Sequence, residues 1–342
     1  MPSYQFLQWI NINKLDMYRI SNDPRAVSFL RENKNKIDWL GISYNSGAID
    51  IIKENIHQIN WKALSLNPAA IPILNENIDK INWDNFLRIE EIAALPVIQN
   101  NKNKITDWTF LCQNHSVWIN DIFDENIIKS LDYRGLLFLS ENPYAIPTIE
   151  KFINSVEWAG LSRNPNALHL LRKEPSKIEM WYLLDNPNPD ALALYEQYVD
   201  ILPKRIHTLE LSNSYTMVPY LKKNLKYLDS NIFTNQNPEA FELIKYLMNE
   251  LLAIHGEFYY WKELSGNPVA IDILKQNIDH IDWEAFCELE EAIPIIENHI
   301  DKVNWSALSS NPKAIHILQK HPDKIDYDKL SLNDAIYEEV IF

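Results

Sequence analysis

Eleven tryptophans, two cysteines, nine histidines and a surplus of carboxylates are the residues in this chain whose types could do chemistry. Regularly spaced indoles are what a single-strand binder uses to stack bases. Yet Trp39, Trp61, Trp83, Trp108, Trp158, Trp261, Trp283 and Trp305 recur in phase with a residue three later and another four later, typically Leu and Ser. That phase belongs to a structural core. Trp9, Trp118 and Trp181 stand outside it and are the better candidates for surface contacts. Cys112 and Cys287 occupy the slot that Ser43, Ser65, Ser162, Ser265 and Ser309 fill elsewhere. No histidine recurs beside them at the spacing a Cys-His pair needs, so a small packed residue is expected there rather than a nucleophile.

The histidines are scattered. His169 and His316 share one position, His299 and His321 another, and His57 and His280 fall in loops. No pair has the spacing of a zinc-binding helix and no Cys-x-x-Cys occurs, so neither a metal nor a cofactor is expected. Glu90, Glu91, Glu288, Glu290 and Glu291 would serve as an acid–base set only with one carboxyl in an apolar pocket. They lie instead where a helix opens, and acidic side chains favour the positive end of its dipole. With 6 glycines in the chain, phosphate-cradling loops have little to be made from, and no nucleophile elbow is present. The chemistry-bearing residues point away from an enzyme.

The elements that carry these residues are repeats. WSALSSNPKAIHILQKHPDKI, from Trp305 to Ile325, returns with substitutions from Trp61 to Ile81 and from Trp261 to Ile281. Counting from the Trp as position 1, Leu is 4, Ser 5, Asn-Pro 7 and 8, Ala-Ile 10 and 11, Leu 14, Asn 17 and Asp-Lys-Ile 19 to 21. First positions fall at Met17, Trp39, Trp61, Trp83, Trp108, Leu136, Trp158, Met180, Thr208, Asn231, Trp261, Trp283, Trp305 and Tyr327. Fixed-period self-similarity predicts stacked units. The fold class expected is all-α, an α-solenoid of about fourteen short two-helix repeats with a period near 22 residues.

Within a unit, Asp or Asn before the Trp caps the first helix. Asn67, Asn142, Asn164, Asn267 and Asn311 cap the second, with Pro following at the first helical position. One such pair is too short to be stable alone, and stacking buries one pair against the next. Pro72, Pro147, Pro219 and Pro294 at position 12, and Pro96 after a small insertion, should kink the second helix or delay its regular start. The units at Trp83 and Trp283 replace Asn-Pro by an acidic pair and resemble each other, which suggests that one block is a copy of the other. The array divides into residues 1–184, an irregular stretch 185–260, and residues 261–342. In or beside the irregular stretch, Trp181, Tyr195, Tyr198, Tyr215, Tyr259 and Tyr260 are candidate partner-binding residues.

Composition bounds the partners. Acidic residues number 47 against 32 basic, a formal net charge of −15, so the long-range field repels nucleic acid and anionic lipid. Lys222, Lys223 and Lys226 are the main basic cluster. Position 6 carries Tyr44, Leu66, Arg88, Arg163, Asp185, Glu288 and Leu332, without the restricted set that one-base-per-repeat readers show. No apolar run reaches membrane-spanning length, no signal-peptide pattern opens the chain, and two cysteines make no disulfide framework. A protein neither secreted nor membrane-spanning is expected. The closing YEEVIF lacks the polar face of a terminal cap, so self-association through the C-terminal repeat is a further expectation.

The string Leu-Ser-x-Asn-Pro-x-Ala-Ile-x-x-Leu, at Leu64 to Leu74, Leu264 to Leu274 and Leu308 to Leu318, resembles the short repeats of proteins from mimivirus-type giant DNA viruses. The resemblance implies a viral protein in the host cell cytoplasm or the virion and supplies no catalytic residues. The function expected is a non-catalytic protein–protein interaction scaffold or adaptor for a host or viral protein, favouring a basic partner. A structural or assembly component of the virus particle is the first alternative, and a nucleic-acid-binding array the last.

Overall fold

The computed structural model describes residues 3–198 and 211–340. The chain is all-α in character, 64% helical in about 25 helices, with two short strands among the described residues. It divides into two compact units, one of Asp38–His207 and one that joins Met1–Ile37 to Thr208–Phe342. The repeat start expected at Thr208 lies outside the described residues.

Residues 60–81 show how a repeated segment is built. Asn60 Oδ1 accepts from the Ala63 amide at 2.9 Å and opens the helix Trp61–Leu64. Asn67 then accepts from the Ala69 amide at 3.1 Å, but the turn it caps, Pro68–Ala70, is a 3₁₀ turn. The α-helix proper begins at Ile71 and runs to Glu76. Pro72 therefore sits in the first helical turn, where its missing N–H is one of those without an intrahelical partner anyway. Pro147, Pro219 and Pro294 repeat this placement. The second proline delays the regular start and does not kink the helix. At the far end, Asn77 Nδ2 donates to the Ile73 carbonyl at 2.8 Å, and a second 3₁₀ turn, Ile78–Lys80, leads to the next segment. The segments at Met17, Trp61, Trp261 and Trp283 thus hold two helices of four to six residues and two 3₁₀ turns.

Such helices are below the length that is stable in isolation, so tertiary burial holds them. Leu64, Ala70 and Leu74 are fully buried, as are Leu264, Ala270 and Leu274 and, near the C-terminus, Leu308, Ala314 and Leu318. Two polar ladders run through this apolar interior. The Ser at position 5 donates to the Trp carbonyl four residues back and accepts the amide that precedes the next Trp. Ser65 does so to Trp61 at 2.8 Å and from Asn82 at 2.9 Å, and Ser309 to Trp305 at 2.7 Å and from Asp326 at 3.0 Å.

The cap Asn sends its amide group backward. In the unit 38–207, Asn164 Nδ2 donates to the Ser140 and Asn142 carbonyls, both at 2.9 Å. In the other unit, Asn333 does the same to Ser309 and Asn311, both at 3.0 Å. These asparagines are buried, and their donors and acceptors are engaged together, as burial of a polar side chain requires. Ile89 and Leu289 replace the asparagine at the two acidic-pair segments and have no amide to send back. The approach is close at Gly160, where a Cβ would stand 2.5 Å from the Leu137 carbonyl oxygen.

The indoles correct the sequence reading. Trp108 is buried, whereas Trp39, Trp61, Trp83, Trp158, Trp261, Trp283 and Trp305 are only half-buried. They stand in the first helical turn, at the margin of the core, and in several segments a loop side chain covers the ring. Lys177 lies over Trp158 at 4.7 Å, and His280 stacks on Trp261 at 4.6 Å.

Two strands not foreseen from the sequence join the ends of the chain. Strand β1 (Ser3–Phe6) pairs antiparallel with β2 (Tyr337–Val340), with Phe6 opposite Tyr337. Beyond the strands, the Asp16 amide donates to Ser331 Oγ at 2.9 Å, the same bond that Ser43, Ser65, Ser162, Ser265 and Ser309 make to the segments after them. Arg25 bridges Asp23 at 2.7 Å and Asp334 at 2.6 Å and stacks over Tyr337 at 4.6 Å. The C-terminal segment is therefore covered by residues from the N-terminus. Part of the C-terminal segment from which self-association was expected is thus paired within the chain.

Candidate functional site

In the unit 38–207, the residues at position 6 of successive segments come together along one groove of about 600 Å³. Arg88, Gln113, Glu141, Arg163 and Asp185 line it, with Phe138 from position 3. The groove is a product of the repeat: position 6 lies at the last residue of the first helix or just past it, before the Asn ladder turns the chain inward. Arg163 is its most connected member, donating to Glu141 Oε1 at 2.7 Å and to Asp185 Oδ2 at 2.9 Å while lying over the Tyr182 ring at 4.9 Å. These two carboxylates hold the guanidinium charged, against the opposing effect of its partial burial. Arg88 lies over the Phe110 ring at 4.3 Å. At the groove's edge His115 faces Glu90 at 3.8 Å and Tyr144 at 5.9 Å. Tyr144 is exposed.

The unit containing both chain ends has a related groove. Arg25, Asp334, Tyr18 and Leu332 line a space of about 780 Å³ where the segment at Met17 meets the segment at Tyr327. A smaller notch of about 270 Å³ lies between the long helix Phe241–His255 and the helix Ile271–Lys275.

No protein-family model, curated protein or solved structure matches the chain. The site has to be read from its own residues.

Both cysteines are fully buried free thiols. Burial pushes the Cys287 thiol up to about 11 and raises Cys112 further still. A thiol so held is neutral at physiological pH and a poor nucleophile. Among the described residues, no group of three His, Cys, Asp or Glu side chains is placed to hold a metal ion. His169 and His316 instead meet carboxylates of the preceding segments, Glu150 at 3.0 Å and Glu297 at 2.8 Å. His299 replaces the asparagine at position 17, its Nδ1 lying 2.9 Å from the Ile295 carbonyl oxygen. Glu290 and Glu291 open the 3₁₀ turn Glu290–Ala292. Lys222 of the basic cluster is paired with Glu239 at 2.8 Å, and no helix among the described residues is long and apolar enough to cross a membrane.

The expected caps all make their bonds: Asn67, Asn142, Asn164, Asn267 and Asn311 each accept from the amide two residues on. The candidate partner-binding residues are not one set. Tyr195 is fully buried, as are Ala191 and Leu194 of the same helix, which removes it from any surface. Tyr260 is half-buried, its ring 5.1 Å from Phe233, and Trp181 and Tyr198 are also half-buried. Tyr215 and Tyr259 are exposed. Trp118 is likewise no surface contact: it is buried, and its Nε1 donates to the Glu90 carbonyl at 2.9 Å.

The rings of Phe110, Phe138 and Tyr182 were not singled out by sequence spacing. All three stand at position 3, and two of them receive an Arg from position 6 of the segment before. An Arg at position 6 followed by an aromatic at the next position 3 is the pattern that would have found them.

Proposed function

We propose that the protein is a non-catalytic protein-interaction scaffold, built as an α-solenoid of about fourteen repeats with a period near 22 residues. The division of labour within each repeated segment supports this reading. Ser at position 5 and Asn at position 7 are consumed by the interior ladders, while position 6 between them points into the groove and changes from segment to segment. A scaffold that recognises partners along an extended surface has this arrangement, constant residues inside and varied ones along a face. In the resemblance to giant-virus repeat proteins, the partner would be a host or viral protein in an infected cell.

The test is an affinity capture from infected host cells with the intact chain, beside a chain altered to Ala at Arg88, Glu141 and Arg163. A stoichiometric protein recovered by the intact chain and lost with the altered one is the expected result. If only the chain itself and particle components come down, the assembly role takes the place of the scaffold.

A further inference from the structure

We infer that residues 3–37 form an exchangeable clasp, which seats on the C-terminal segment of a second copy of this chain as it does on its own. Two copies that trade clasps make a dimer, and the groove at each junction is then built from both chains. The inference goes beyond the scaffold reading and does not depend on it.

The occupant of the junction is known, because the clasp already sits there. Gln5 Nε2 donates to Glu338 Oε1 at 2.8 Å, the Leu7 amide to the Ile336 carbonyl at 3.0 Å, and the Asp16 amide to Ser331 Oγ at 2.9 Å. Connectivity sets this junction apart. Ser65 and Ser309 bond to the segment that follows directly in the chain. Asp16, by contrast, lies 315 residues from Ser331, and the compact unit 38–207 intervenes. No short connection dictates which copy supplies the clasp. A segment that makes the same bonds from either chain is what exchange between protomers requires. Tyr18 and Arg19 of the clasp and Ser331 and Leu332 of the segment beneath it line one groove, which exchange would make a two-chain site.

The junction is also less firmly tied than the one before it. There, buried Asn333 donates to the Ser309 and Asn311 carbonyls, both at 3.0 Å. Asp23 stands at the matching place in the clasp and has no amide group to send back to Ser331 and Asn333. Arg25 reaches across instead, donating to the Asp334 carbonyl at 2.9 Å and to its carboxylate at 2.6 Å. The Asp334 side chain is 83% exposed, so water and salt screen that bridge. Both forms make the same bonds, so protein concentration sets their ratio, against the effective concentration of a chain's own clasp. Weakening a bond of the junction speeds exchange and leaves its extent unchanged.

Full-length Gln5→Cys and Glu338→Cys chains are mixed in equal amounts, incubated and oxidised. The two positions face each other across the strand pair, and neither variant alone can close the bond within one chain. The native Cys112 and Cys287 are buried. A disulfide-linked dimer with one chain of each kind is expected, exceeding the like-with-like dimers at least fivefold and rising with concentration. Arg25→Ala in both chains should bring the same final yield at least threefold sooner. The double variant, Gln5→Cys with Glu338→Cys, should close the bond within one chain when dilute. If it closes and the mixture yields no more unlike than like dimers at any concentration, the exchange is overturned. A double variant that stays open removes the strand pairing, and the inference with it. No gain in rate with Arg25→Ala overturns the part given to the exposed bridge.

Discussion

The ladder asparagines do three things with one side chain. Asn164 caps the turn after it, accepting from the Asn166 amide at 3.0 Å, and ties down two carbonyls of the preceding segment. Replacing it by Ala strands buried acceptors and removes a cap, so Asn164→Ala should lower stability by about 3 kcal/mol, read from the urea midpoint. Asn166 also donates to a carbonyl of the preceding segment, that of Pro143, but it does so in the open. Asn166→Ala should therefore cost less than about 1 kcal/mol. Equal effects of the two would show that burial is not what gives the ladder its value. The thiols give a second prediction at this scale. Cys287 is raised to about 11 by burial, so folding favours its neutral form. The stabilisation from that preference is complete below the thiol's unfolded pKa, about 8.5, and is lost as pH rises toward the folded value. Native protein at pH 8 should leave both thiols unmodified by a disulfide reagent, and both should react in denaturant. Between roughly pH 9 and 11 the urea midpoint of Cys287→Ala should fall less than that of the parent chain.

At the scale of elements, the segments are held by their caps more than by helix propensity, since most helices are six residues or fewer. Asp326 caps Tyr327–Leu330, and its carboxyl is held below the usual range by the Ser306 hydroxyl first and the Lys329 and Asp328 amides after. In the other unit, Asp124 caps Glu125–Ser130 and is lowered chiefly by the Ile127 amide. A depressed carboxyl contributes stability that is present above its unfolded pKa, about 3.9, and is lost as pH falls through the folded value. Asn caps as well as Asp but does not titrate, so Asp326→Asn and Asp124→Asn should keep the neutral-pH midpoint and flatten its fall between roughly pH 5 and 3. Unchanged acid sensitivity would place that loss in other carboxyls. The cap at Asp124, before Glu125, was not legible in the sequence, whereas those at Asp38, Asn60, Asn82, Asp282 and Asn304 were, because Asp or Asn before Trp is a local signal. So were Leu64, Ala70 and Leu74, which the helical period sets on one face. The four-part build of a segment was not, because Asn-Pro reads the same whether it opens an α-helix or a 3₁₀ turn. Nor was the half-burial of the indoles, since phase tells which way a residue faces and not how deep it lies. The Arg-over-ring slots join residues of adjacent segments, so they were out of reach of a pattern counted within one.

At the scale of the whole chain, the pairing of its two ends is the feature least visible in the sequence. A four-residue strand such as β2 carries little signal, and its partner lies at the opposite end of the chain, with Gln5 and Glu338 333 residues apart. In an array of repeats the last segment has an apolar end face and no successor to bury it. Here the successor is the segment at Met17, bonded through Ser331 as any next segment would be, with β1 closing the edge of β2. Lys14 over Tyr327 at 5.0 Å and Phe6 against Tyr337 at 4.7 Å add ring contacts to the same junction. Removing residues 1–9 takes away β1 and the Phe6 ring but leaves the Met17 segment. It should leave β2 with both edges unpaired, a fuller template for a second chain. The truncated chain should then show concentration-dependent self-association by light scattering where the full chain shows less, with a lower melting temperature. Arg25→Ala, which breaks the bridge from Asp23 to Asp334 without freeing the strand, should lower the melting temperature and leave the association state alone. A truncated chain that matched the full chain in both measurements would mean that the strands merely decorate a junction already secured by Ser331 and Arg25.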